Sequence, residues 1–296
     1  MRYTPKIIFS ASAARDAELF WDFLTHRYFL DKRRCILETF PKLKEYAHRK
    51  DFKEKVGAFV LDYYRRHRKE IQDIVESGNE LIRRDEARAF QLLSRLVDYQ
   101  WKRPITYRAY TTILPFSPFG KQHFYYSILR KLSHPEWKAA SVLFIGIHEI
   151  SHMIFFELLR QIEREYKLML HEDAQYFLKE ALTTALLNRR ESMGVLRKEK
   201  KEPGNLEIQE LRVISGNGAP QKIVAFVGKR YARYRNKKAA FLDFLSRMVF
   251  LTHTAEKDFN GKKKLWDKYG RKILTDRRLL AVYRKPIRLH AVERSD

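Results

Sequence analysis

One cysteine, Cys35, is all that 296 residues contain. A single thiol excludes an internal disulfide framework and every cysteine-rich metal site, so any metal must be held by histidine and carboxylate ligands. Acidic residues are also in deficit: 36 Asp and Glu stand against 60 Lys and Arg, for a formal charge of +24. A field of that sign attracts nucleic acid, anionic membrane surface or acidic protein without choosing among them. Internal repeats and long low-complexity segments are missing too. What is present, 45% apolar and 14% aromatic residues, is enough to bury a sizeable core in one large or two modest domains.

Long apolar runs are scarce as well. Residues 1–12 hold only Ile7, Ile8 and Phe9 in succession, too few for a secretory signal, so a cytoplasmic protein is expected. Residues 139–159 approach the length of a membrane span but carry His148, Glu149, His152 and Glu157. No other segment accompanies them, so the expectation is a buried helix in a soluble core and no transmembrane span.

Between residues 13 and 101, apolar side chains recur at three-and-four spacing, among them Leu19, Phe20, Phe23 and Leu24, then Val56, Phe59, Val60 and Tyr63. Lysine and arginine fill the other faces. Residues 1–101 are therefore expected to form a basic helical lobe. Residues 105–110 change to β-branched and aromatic, run into a loop punctuated by Pro115 and Gly120, and lead to a second extended run at 123–129. A hairpin or short sheet is expected. Ser133, Pro135 and Glu136 have the spacing of a helix start with Ser133 as N-cap, and that helix should reach about Tyr166. Asp173 can cap a second helix that continues to Asn188. Residues 199–218 read as loop or lid, 223–227 could be a strand, 239–251 fits an amphipathic helix, and a basic tail follows from Asn260.

The chemistry concentrates in His148-Glu-Ile-Ser-His152. Residues four apart on a helix lie one above the other, so both imidazoles face a single ion from one side. Glu149 lies about 100° round the helix. There its carboxylate can reach a water activated by the ion, take its proton as the water attacks a carbonyl, and return it to the leaving amine. Apolar residues precede and follow the motif, as a ligand helix running through a core requires.

A third ligand must come from elsewhere. Glu180 lies among small and apolar neighbours, Phe177-Leu-Lys-Glu-Ala-Leu-Thr-Thr184, where a lone acid is costly unless paired or bound to a cation. Thr184, one turn on, could orient a ligand as a hydrogen-bond partner. Glu172 and His171 compete for the third position, although Glu172 falls at a helix start where it can serve the dipole. A donor to the developing oxyanion is also expected, and Tyr231, Tyr234 and His253 are available.

The motif followed by a helix bearing Glu180 resembles the gluzincin class of zinc metallopeptidases over residues 105–188. The resemblance implies a zinc cofactor, a peptide or protein substrate, and a zincin-like core at 102–200, with a helical C-terminal lobe at 201–296. The fold expected is α+β and predominantly helical, with a small mixed or antiparallel sheet packed on the motif helix. It further implies that residues 105–112 form an edge strand whose Tyr107, Ala109 and Thr111 take an extended peptide. This chain departs from the thermolysin-like pattern in having Thr184 where that pattern has an Asp.

A second expectation comes from the charge. Basic helices could grip nucleic acid, with a steep loss of affinity as salt rises. Proteases of the SprT-like family combine a zinc motif with such a surface, and their histidine third ligand would correspond to His171.

Overall fold

The computed structural model describes residues 3–26, 30–133, 141–216, 218–237 and 240–290. The chain is α+β and mostly helical. It gathers into two compact units, one of residues 1–90 with 101–149 and one of residues 91–100 with 150–296.

In the first unit, β1 (Lys6–Ser10) precedes four helices, α1 (Ala13–Thr25), α2 (Leu30–Thr39), α3 (Lys42–Tyr46) and α4 (Phe52–Arg66). The long α5 (Arg68–Val97) leads to β2 (Thr106–Thr112), β3 (His123–Ser127), the short α6 (Leu129–Ser133) and α7 (Val142–Tyr166). The three strands form one sheet in the order β1-β2-β3, and both pairings are parallel.

The parallel sheet corrects the expected hairpin, and its cause is local. The turn occurs within the loop, whose residues 118–120 fold back on β3: Tyr125 N donates to Pro118 O at 2.7 Å and Gly120 N to His123 O at 2.8 Å. β3 therefore enters beside β2 in the same direction. β1 occupies the other side of β2, Lys6 opposite Thr106 and Ser10 opposite Tyr110. The run Ile7-Ile8-Phe9 is thus a strand, with Ile7 and Phe9 buried and Ile8 exposed by the two-residue period.

One face of the sheet, bearing Ile7, Phe9, Tyr107, Ala109, Phe124 and Tyr126, is buried. A Cβ at Gly146 would come within 2.8 Å of the Phe124 ring, and one at Gly78 within 2.7 Å of the Phe9 ring. Glycine at these positions lets α7 and α5 lie close on the strands. Each Phe buried this way is worth about 2–3 kcal/mol of transfer free energy.

Both outer edges of the sheet are covered. At β1, Glu86 Oε2 accepts from Ile7 N at 2.9 Å, and Asn79 of α5 accepts from Phe9 N at 3.2 Å while donating to Phe9 O at 2.8 Å. The asparagine amide stands in for the peptide group of a further strand. At β3 the loop backbone does the same.

Helix α1 meets the end of β2 through Asp16, which is fully buried. Its carboxylate accepts from the Thr112 hydroxyl and, at 2.9 Å, from Ile113 N. Burial pushes the carboxyl from 3.8 up to about 7, against these hydrogen bonds.

In α7, Ser141 is the cap, its Oγ accepting from Phe144 N at 3.1 Å. Ser133, expected in that role, instead lies in α6, while Pro135 and Glu136 lie outside the described residues. Among the described residues α7 is the one helix long and apolar enough to cross a membrane, and most of that stretch is buried.

The second unit contains α8 (Glu172–Leu187), α9 (Arg190–Val195), α10 (Leu206–Gln209), β4 (Arg212–Ser215), β5 (Gln221–Lys222) and α11 (Ile223–Asn236). It continues through α12 (Phe241–His253), α13 (Glu256–Tyr269), α14 (Lys272–Thr275), α15 (Arg277–Tyr283) and β6 (Ile287–Leu289). Helix α8 is its centre, packed against α9 to α13. The strands form a small mixed sheet, β5-β4-β6, with β4 antiparallel to β5 and parallel to β6. Strand β4 lies in the segment expected to be loop. Residues 223–227, read as a strand, open a helix, because Ile223, Phe226, Val227 and Tyr231 fall on one buried face at three-and-four spacing.

Candidate metal centre

Helices α7 and α8 carry the candidate ligands. From Phe177 to Leu187 nearly every residue of α8 is buried, because helices pack around it. Its apolar residues thereby carry Lys179, Glu180, Thr183 and Thr184 into the interior, where polar atoms need partners.

His148 and His152, one helical turn apart on α7, and Glu180 of α8 each offer a ligand atom, and these atoms lie within 4.8 Å of one another. His152 and Glu180 are 1% and 4% exposed, while His148 is half-buried. His152 Nε2 lies 3.3 Å from Glu180 Oε1. Two zinc ligands with bonds of about 2.1 Å at the tetrahedral angle are separated by about 3.4 Å, so this pair has the separation the ion needs. Two imidazoles and a carboxylate are also a donor set suited to zinc.

The other ring nitrogen of His152 is engaged. Its Nδ1 lies 3.2 Å from Thr183 Oγ1, which is 2.7 Å from Ser151 Oγ. With Nδ1–H donating to Thr183, the lone pair of Nε2 faces Glu180, the tautomer a metal requires. The threonine that meets His152 is thus Thr183, where Thr184 was expected. The Thr184 hydroxyl is buried without a hydrogen-bond partner and faces Gly204, where a Cβ would lie 2.9 Å from Oγ1. Thr183 and Thr184 stand three and four residues after Glu180, and both spacings place a residue on the same helical face.

Lys179 is a further residue that motif reasoning missed. It is buried, pairs its Nζ with Glu180 Oε1, and lies 5.1 Å from the centroid of the Tyr176 ring. Its signal in the sequence was adjacency to Glu180 in an apolar stretch, which reads equally well as a lysine facing solvent.

The remaining candidates stand apart from this group. His171 caps α8, accepting at Nδ1 from Asp173 N at 3.2 Å, and its own N–H donates to Glu256 Oε1 at 2.7 Å. It takes the capping role expected of Asp173. Glu172 lies in the first turn of the same helix. Tyr231 is buried and donates its hydroxyl to Leu96 O at 2.8 Å. His253 is paired with Glu256 at 3.0 Å, and Tyr234 packs its ring on Phe244. Tyr107, Ala109 and Thr111 are buried in β2, which is the central strand and not an edge. Its backbone groups are taken by β1 and β3, so a peptide cannot add there.

No protein-family model, no curated protein and no solved structure matches this chain. The local arrangement of side chains therefore carries the functional argument: a buried His-His-Glu group that could hold a metal ion.

Proposed function

We propose that the chain is a zinc-dependent peptidase of gluzincin type, with His148, His152 and Glu180 as metal ligands and Glu149 as the catalytic base. The convergence of the three ligand atoms within 4.8 Å supports it most directly. Bound there, zinc would supply Lewis acidity, polarising the scissile carbonyl and making water a nucleophile near neutral pH. Glu149, which is buried, follows the first ligand in the chain. Its carboxylate takes the proton from the attacking water and passes it to the leaving amine.

The position of Glu180 favours this reading over a SprT-like site, which needs His171 as a ligand while His171 is engaged in capping α8. Substrate binding by strand addition at β2 is excluded by the sheet order.

The test is Glu149→Gln in zinc-loaded protein, assayed against a mixture of unstructured peptides. Zinc content should remain near that of the unsubstituted chain while cleavage falls by at least about 10²-fold. Undiminished cleavage by this variant would remove Glu149 from the mechanism.

A further inference from the structure

The Lys179 ammonium and the ring of His152, a candidate metal ligand, meet at one atom of Glu180. Lys179 Nζ pairs with Glu180 Oε1, and that same oxygen faces His152 Nε2 at 3.3 Å. We infer that Lys179 competes with the metal for Glu180. The ammonium and the dication are alternative partners of Oε1 of one buried carboxylate, and Lys179 must leave that oxygen for the ion to be held there, facing His152 Nε2. This rests on the metal-binding reading above and adds to it a resident cation that sets how tightly the ion is held.

Charge and space set the two cations against each other at Oε1. A metal at about 2.1 Å from Oε1 would lie only about 4 Å from an ammonium bonded to the same oxygen. Both lysine and carboxylate are buried, at 8% and 4% exposure, so this repulsion is weakly screened. The ammonium also has somewhere to go. The Tyr176 ring, whose centroid is 5.1 Å from Nζ, presents a π face that can hold a cation away from the carboxylate. Tyr176 is half-buried, so Lys179 can release Glu180 without becoming an unpaired buried charge. A lysine that merely oriented Glu180 as a ligand would have the opposite effect, because its removal would loosen the metal.

The experiment is a zinc titration of the full chain, stripped with a chelator and read by competition with a chromophoric chelator at fixed pH and ionic strength. It compares the unsubstituted chain with Lys179→Met, which keeps the length and the apolar stem. Lys179→Arg retains the charge, and Lys179→Gln repeats the neutral substitution should Met impair folding. The expected result is one zinc per chain throughout, with the Met or Gln variant binding at least about tenfold more tightly and the Arg variant staying near the unsubstituted chain. Equal or weaker binding by the neutral variants, with the unsubstituted chain still taking up one zinc, overturns the competition while leaving the metal site standing. If none of the proteins binds zinc, the metal reading itself fails, and this inference with it.

Discussion

Nδ1 of His152 lies 3.2 Å from Oγ1 of Thr183, which commits the opposite ring nitrogen to the side of Glu180. A side chain of α8 thus sets the ring orientation of a histidine on α7. Thr183→Val keeps the shape and removes the hydroxyl, so zinc affinity should fall about 10- to 100-fold. Thr184→Val, one residue on, should leave affinity unchanged, since its hydroxyl makes no hydrogen bond. The same competition titration checks both, and equal affinities for the two variants would remove Thr183 from the account.

Asp16 gives the first unit a pH dependence whose direction follows from its raised pKa. Burial moves the carboxyl from 3.8 to about 7. The folded chain therefore holds a proton that the unfolded chain releases between those values. The stabilisation this confers is fully present below about pH 4, declines as pH rises, and is gone above about pH 7. Asp16→Asn removes the titration. Urea denaturation of both proteins at pH 5 and pH 8 should show the unsubstituted chain losing about 3 kcal/mol relative to the variant over that interval. A constant difference between them would contradict the buried carboxyl.

Two glycines in helices should respond to alanine with opposite sign. At Gly146 a Cβ would meet the Phe124 ring at 2.8 Å, whereas at Gly57 nothing lies within 4 Å. Gly57→Ala should stabilise by about 1 kcal/mol through helix propensity alone. Gly146→Ala should destabilise by about 1–3 kcal/mol despite the same propensity gain, because Phe124 is wholly buried on β3 and its ring must shift. Thermal or denaturant unfolding of the two variants decides this.

The helix that carries the two histidines was legible in the sequence, and spacing alone puts them on one face: His148 and His152 are one turn apart in any helix. Glu180 was legible for a different reason, as a lone acid in an apolar stretch. The choice between Thr183 and Thr184 was not legible, since both spacings from Glu180 share a face and only the packing of α8 rotates one of them toward His152. Lys179 was hidden for a related reason, because a lysine in a helix ordinarily faces solvent. The parallel sheet was missed because the partner that makes β2 central, β1, lies about a hundred residues earlier in the chain. A run of three apolar residues does not announce its pairing. Residues 223–227 show the same limit, since a short apolar run has no period until Tyr231 extends it.

The central claim is that His148, His152 and Glu180 together hold a metal ion. Elemental analysis of the protein after exposure to zinc and exhaustive dialysis tests it most directly, with His152→Ala, Glu180→Ala and His171→Ala beside the unsubstituted chain. The account predicts one zinc per chain in the unsubstituted protein and in His171→Ala, and almost none in the other two. Zinc retained in full by Glu180→Ala but lost from His171→Ala, or no zinc in the unsubstituted chain, would contradict it.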